Sequence, residues 1–259
     1  MGHPFDLNDR VAVVTGGGRG IGREIALVLA GAGADVAIAE IDPGTAEATS
    51  KEFSRTGRRA LPITTDVADL PAVEAMAAQA IEAFGRVDIL VNNAAIRPAG
   101  DPFLVRNPDH WRRSLGVALD GVAWCSRAIG AHMVARQTGA IVNIASMSGL
   151  IVNRPQPQAD YNAAKAAVIH LTRSLACEWA SDGVRVNAVS PGYIQSDMTD
   201  MPQIAIEHPG WTETWLDATP MQRVGTPREV ANAVWFLASD GASFCTGANL
   251  VVDGGYTCW

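Results

Sequence analysis

Seven short apolar runs, rich in valine, isoleucine and alanine and mostly free of polar alternation, are separated along this chain by longer segments with helical spacing. Runs without alternation suit strands buried on both faces, and their alternation with helices is how a parallel sheet covered on both sides looks in sequence. The pattern predicts strands over residues 11–15, 36–40, 60–64, 89–92, 140–145, 185–189 and 248–252. Helices are predicted over 20–32, 45–56, 72–84, 111–136, 160–181 and 228–239, with Pro43 and Pro71 near helix starts, where a missing N–H costs little. No repeat, low-complexity tract or linker divides the 259 residues, a length that suffices for one large α/β domain with a buried core. One stretch breaks the rhythm. Between Tyr193 and Thr226, Pro202, Pro209, Gly210 and Pro220 interrupt a segment carrying Trp211 and Trp215, and an insertion of that length after a strand end suggests a cover over a site, about 193–226.

Bulk properties narrow the function. The net charge of -7 with no run of lysine or arginine gives no support for binding nucleic acid, which depends on cations neutralising phosphates. Cys125, Cys177, Cys245 and Cys258 show no metal-ligand spacing and no disulfide framework, so reduced, partly buried thiols and no metal site are expected. The N-terminal residues lack a basic segment followed by an apolar one, and no apolar run approaches membrane-spanning length. A soluble, cytoplasmic protein with no membrane partner is the expectation.

The first strand runs directly into Thr15-Gly16-Gly17-Gly18-Arg19-Gly20-Ile21-Gly22, which opens the first helix. Glycines let a backbone turn tightly and approach a pyrophosphate, whose charge is stabilised by free N–H groups at a helix N-terminus. Glu40 ends the second strand, at the distance usual for a carboxylate that binds the adenosine ribose hydroxyls. Together these predict a dinucleotide site on a Rossmann fold. A carboxylate accepts hydrogen bonds from a free ribose diol and repels a 2'-phosphate, so NAD is expected rather than NADP. Arg19 pulls the other way, since a guanidinium pairs with that phosphate, but no second arginine follows Glu40.

Downstream, Tyr161 and Lys165 stand four apart, on one face of the predicted helix, with Ser146 after the preceding strand. A free phenol has a pKa of about 10, too high for a base at neutral pH, and an adjacent cation lowers it by stabilising the phenolate. Tyr161 is thus a candidate acid/base, Lys165 its tuning cation, and Ser146 a hydrogen-bond partner for the reacting oxygen. Ser148 is a nearby alternative to Ser146.

With these residues in view, the chain resembles the short-chain dehydrogenases/reductases over essentially its whole length. The resemblance is carried by Thr15-Gly16-x-x-x-Gly20-x-Gly22, Asp66-Val67, Asn92-Asn93-Ala94, Ser146, Tyr161-x-x-x-Lys165, Asn187 in Asn-Ala-Val-Ser-Pro-Gly, and Asp253-Gly254-Gly255. It implies one domain with a seven-stranded parallel sheet, with Asp66 and Val67 near the adenine and Asn92 on the adenosine ribose side. It further implies that residues 191–196 wrap the nicotinamide, with the Ile194 backbone and Ser196 hydroxyl at its carboxamide, and that Lys165 also holds the nicotinamide ribose. Gly16, Arg19, Gly20, Ile21, Gly22 and Glu40 complete the expected cofactor set, to which Tyr161 also belongs.

Two positions depart from the family pattern. Ala118 stands where an asparagine usually supports a water-linked proton path to the lysine, and Ala95 replaces a glycine. The first keeps open a catalytically weak, regulatory dinucleotide-binding protein. Segments 149–156 and 213–221 and the C-terminal residues look like the galactitol-type polyol dehydrogenases of that family, so a polyol or vicinal diol is the expected substrate. Asn153, which both donates and accepts, suits a hydroxyl beside the oxidised carbon, and it joins Ser146 and Tyr161 as the expected substrate-binding set. An NADP(H)-dependent reductase of 3-oxoacyl thioesters or hydrophobic ketones is the alternative, and Trp211 and Trp215 would suit it. The apolar faces of the helices around 117–134 and 163–179 predict an interface, and the family resemblance implies a homotetramer.

Overall fold

All seven predicted strands form, within a few residues of the expected limits, in a computed structural model that describes residues 3–53, 56–98, 100–196 and 199–259. They are β1 (Val11–Thr15), β2 (Asp35–Glu40), β3 (Ala60–Thr64), β4 (Ile89–Asn92), β5 (Gly139–Ile144), β6 (Val184–Pro191) and β7 (Asn249–Val252). Every pairing is parallel, in the order β3-β2-β1-β4-β5-β6-β7. Pro62, which cannot donate to a ladder, lies in β3 at the sheet edge, where one side of the strand needs no partner. The order reverses direction between β1 and β4, and a crevice opens at the carboxyl ends of strands at such a reversal.

Strand alternation sends side chains into two separate cores. Ala12 and Val14 of β1 pack with α1 (Gly20–Gly31) and α9 (Pro227–Ala238) through Ile25, Leu29, Val230 and Val234. Val11 and Val13 face the other way, toward α3 (Leu70–Phe84) and α5 (Gly121–Ala135), where Met76, Cys125, Ile129 and Met133 are fully buried. Burial pushes the Cys125 thiol up to about 12, so it is an inert core group. Cys245 is half-buried, whereas Cys177 and Cys258 are exposed, and all four are free thiols. Asn187 joins β6 to the β7 end by donating to the Cys245 carbonyl at 2.8 Å and accepting from the Ala248 N–H at 3.0 Å.

The second helix is α2 (Pro43–Glu52); residues 54 and 55 of its predicted span lie outside the described residues. The helix expected over 111–136 is in fact three pieces: α4 (Pro108–Leu115), a π turn over Gly116–Asp120, and α5. Periodicity cannot register a π turn, because apolar residues continue through it. Gly121, just beyond it, sits so close to Val67 that an added Cβ would lie 2.7 Å from the valine methyl. The irregular segment contains two short helices, α7 (Met201–Glu207) and α8 (Trp211–Ala218), and bridges back through a parallel contact of Ile194 with Gly225. Helix α6 (Ala159–Trp179) carries the Tyr/Lys pair. No helix of the described residues is long and apolar enough to cross a membrane.

Candidate active site

The glycine turn after β1 is shaped for close approach. Gly16 and Gly20 have φ of +62° and +54°, in the left-handed region, and a Cβ on Gly22 would fall 2.0 Å from the Gly16 carbonyl oxygen. Arg19 at the N-cap of α1 provides no side-chain cap, so the first N–H groups of that helix remain available for an anion. Glu40 stands beside this turn, its carboxylate accepting from the backbone N–H groups of Gly18 at 3.2 Å and Ile41 at 2.9 Å.

From here a cleft of about 510 Å³ extends along the carboxyl ends of the strands. Of the residues expected to serve the cofactor or the chemistry, Gly16, Arg19, Gly20, Ile21, Gly22, Glu40, Asp66, Val67, Ser146, Tyr161, Lys165, Ile194 and Ser196 line it. Asn92 does not. Its side chain is buried under the cleft, donating to Ser126 Oγ at 3.0 Å and Asn143 Oδ1 at 2.8 Å, while Asn143 in turn donates to Thr172 Oγ1 at 2.9 Å. Successive side chains of a strand point to opposite faces, and it is Asn93 that reaches the cleft. The Asn93 amide donates to the carbonyls of Thr15 and Gly16, both at 3.0 Å, and clamps the glycine turn. Sequence reasoning missed that role, because a pair of adjacent asparagines does not tell which one turns toward the site. Asp66 is pushed up by burial, but the Arg113 guanidinium and the Ala68 N–H outweigh this and hold its carboxyl below the usual range.

Ser146, Tyr161 and Lys165 meet at the far end of the cleft. Ser146 follows β5, and its Oγ lies 3.0 Å from Ser148 Oγ and accepts from the Ser148 N–H at 3.1 Å. Tyr161 is placed by the first turn of α6, where the preceding Asp160 is fully buried against Arg106 at 3.1 Å. Lys165 Nζ donates to the Ile144 carbonyl at 2.7 Å and lies 5.5 Å from the centroid of the Tyr161 ring. Burial pushes the Tyr161 phenol up, a shift the hydrogen bond from Ser146 opposes, and it pushes the Lys165 ammonium down to about 8. The expectation of a lowered phenol pKa therefore needs correction, because desolvation is the largest influence on both groups. Ala118 is buried in the π turn and lines neither the cleft nor its neighbour.

Ser146 and Tyr161 also line a second cavity, of about 420 Å³, and Asn153 is among its walls. Its other walls include Ser148, Gln156, Gln158, Tyr193, Trp211 and Trp215. The two tryptophans thus face a cavity rather than only the core. Trp215 stacks on Tyr193 with centroids 4.2 Å apart, and Trp211 stacks on His208 at 3.8 Å. Arg97 pairs with Glu207 of α7 at 2.9 Å. Gln156 and Gln158 escaped the sequence reading; the available signal was three amides within six residues of an irregular loop ahead of α6. Among the described residues, no group of three His, Cys, Asp or Glu side chains is placed to hold a metal.

A parallel sheet reversing between β1 and β4, a glycine turn opening a helix, and a Ser/Tyr/Lys cluster at the cleft end define a dinucleotide-binding oxidoreductase. The chain belongs to the short-chain dehydrogenase/reductase family: residues 16–257 match the family model described as enoyl-(acyl carrier protein) reductase. It is 48% identical to galactitol 2-dehydrogenase (L-tagatose-forming) of Cereibacter sphaeroides over 98% of both chains. The crystal structure of gox2181 superposes with a TM-score of 0.95 at 42% identity, covering 99% of this chain and 98% of that one. NAD+-bound xylitol dehydrogenase superposes with a TM-score of 0.90 at 31% identity, covering 96% and 99%. An NADP-dependent mannitol dehydrogenase of Hypocrea jecorina is 39% identical over 98% of this chain and 94% of its own.

Proposed function

We propose that this protein is an NAD-dependent dehydrogenase that interconverts a secondary alcohol of a polyol or vicinal diol with the matching ketone. The observation that carries this reading is the meeting of the cleft and the amide-lined cavity at Ser146 and Tyr161. The glycine turn, the uncapped α1 N-terminus and Glu40 fit a dinucleotide, and the carboxylate of Glu40 supports NAD over a 2'-phosphorylated cofactor. Asp66 and Val67 line the cleft where an adenine would lie, and Ile194 and Ser196 the end where the nicotinamide would lie. The glycine turn, Glu40 and Lys165 would hold the dinucleotide, which would supply the acceptor for the hydride leaving the alcohol carbon. Tyr161 as phenolate takes the hydroxyl proton, Ser146 donates to the reacting oxygen, and Lys165 supplies positive charge beside the phenol. Asn153 hydrogen-bonds a neighbouring hydroxyl. The presence of all three catalytic groups at one end of the cleft supports turnover rather than a regulatory role.

A relative named for galactitol oxidation supports the polyol, as do the amides of the second cavity. Trp211 and Trp215, together with the description of the family model, favour a second reading, NADP(H)-dependent reduction of a 3-oxoacyl thioester or hydrophobic ketone. A panel of hexitols and pentitols with NAD or NADP, set against a 3-oxoacyl thioester with NADPH, separates the two. Turnover of polyols with NAD is expected, whereas turnover of the thioester alone overturns this proposal. Residues 193–226 are proposed as the substrate cover, with 197 and 198 outside the described residues. A homotetramer is proposed through α5 and α6, whose apolar groove, with Ala123, Leu171, Leu175 and Trp179, would receive a second copy of the chain.

A further inference from the structure

We infer that Gln156 is a specificity-determining residue, reading a substrate hydroxyl beyond the reacting carbon with an amide that Trp215 holds in one orientation. The inference rests on the polyol reading above and adds a group that the sequence does not single out.

An indole N–H can only donate. Trp215 Nε1 donates at 3.0 Å to Gln156, so the atom facing it is the amide oxygen, Oε1. The other end of that amide is therefore a donor, and Nε2 donates to the Tyr193 hydroxyl at 2.8 Å. Asn153 approaches the same hydroxyl, donating from Nδ2 at 3.3 Å, and its Oδ1 accepts from Gln158 Nε2 at 2.9 Å. Two amides thus converge on one phenol oxygen with compatible polarity. Gln158 Nε2 also faces Ser148 Oγ at 3.0 Å and Asn162 Oδ1 at 3.1 Å, three acceptors for its two hydrogens, so it has nothing left for a ligand.

Gln156 and Asn153 are different. Each has one N–H and one oxygen lone pair committed, leaving one donor and one acceptor. Both are buried, 7% and 5% exposed, so water does little to satisfy what remains. Both line the cavity that contains Ser146 and Tyr161. A hydroxyl donates and accepts at once and matches such an amide. A ketone or thioester carbonyl only accepts, and would leave two buried acceptors unpaired. The cavity therefore suits a chain with hydroxyls on at least two carbons besides the reacting one. The stacked Tyr193 and Trp215 rings present an apolar surface to its C–H groups while pinning the amide.

The test uses the ratio of kcat/KM for a hexitol to that for a secondary alcohol with a single hydroxyl, both with NAD. Gln156→Leu should lower that ratio at least tenfold, mainly through KM for the hexitol. Gln156→Glu still accepts from Trp215 but loses the amide donor, and it should lower the ratio as well, so that a folding defect in the leucine variant does not decide the matter. Trp215→Phe keeps the stack on Tyr193 and frees the amide to rotate, with a smaller fall expected. A merely structural Gln156 would change both substrates in parallel. Ratios within twofold of wild type for both Gln156 variants overturn the inference while leaving the polyol proposal intact. Failure of the wild-type protein to oxidise any hexitol or pentitol overturns both.

Discussion

At the scale of single residues, the proposed chemistry depends on charges that burial opposes. The Tyr161 phenol is pushed above its ordinary value and the Lys165 ammonium is pushed down to about 8, so burial works against the phenolate that the proposed oxidation needs. Because the phenol pKa is raised, the phenolate fraction grows throughout the range from neutral to pH 10. Alcohol oxidation should accordingly speed up between pH 7 and 10 and ketone reduction slow down, as initial rates in both directions would show. Tyr161→Phe should cut kcat by about 10²- to 10⁴-fold, the range ordinary for a proton-transfer group, with no matching loss of thermal stability. Identity of the three candidate groups was legible in the sequence because helical spacing and a strand end already define their relation. Their pKa directions were not legible, since desolvation depends on what the rest of the chain packs around them.

At the scale of elements, the strands and most helices follow from local pattern, and the misses share one cause. The break at 116–120 and the helices α7 and α8 arise from contacts far along the chain, such as Gly121 against Val67 and Trp215 against Tyr193. Asp88 shows the same kind of long-range joinery at the opposite end of the sheet. It is buried at the start of β4, accepting from the Val11 N–H at 3.0 Å and from Arg86 and Arg136. Burial raises its pKa, but those hydrogen bonds and cations outweigh that and hold the carboxyl below its usual range. A carboxylate depressed in the folded state stabilises above its unfolded pKa, near 4, and that contribution is lost as pH falls through the folded value. Asp88→Asn should cost about 2 kcal/mol at neutral pH and flatten the loss of stability below about pH 4, as denaturant melts at several pH values would reveal.

At the scale of the whole molecule, one parallel sheet reverses direction between β1 and β4 and collects loops from distant parts of the sequence at one edge. The groove between α5 and α6 shares no lining residue with the cleft, so the proposed assembly and the proposed chemistry would use separate surfaces. Light scattering should report a tetramer, and Leu175→Asp, which places a charge in the groove, should shift it to smaller species; a wild-type monomer would refute the assembly. The fold class, the dinucleotide turn and the Ser/Tyr/Lys cluster were determined by the sequence alone, because each rests on spacing within one element or across one strand–helix junction. Which asparagine faces the cleft, what shifts the Tyr161 and Lys165 pKa values, and how Trp215 meets Gln156 beside Asn153 were decided only by the tertiary structure. Those relations link residues as far apart as 78 positions, and their geometry exists only once the sheet has brought its loops together.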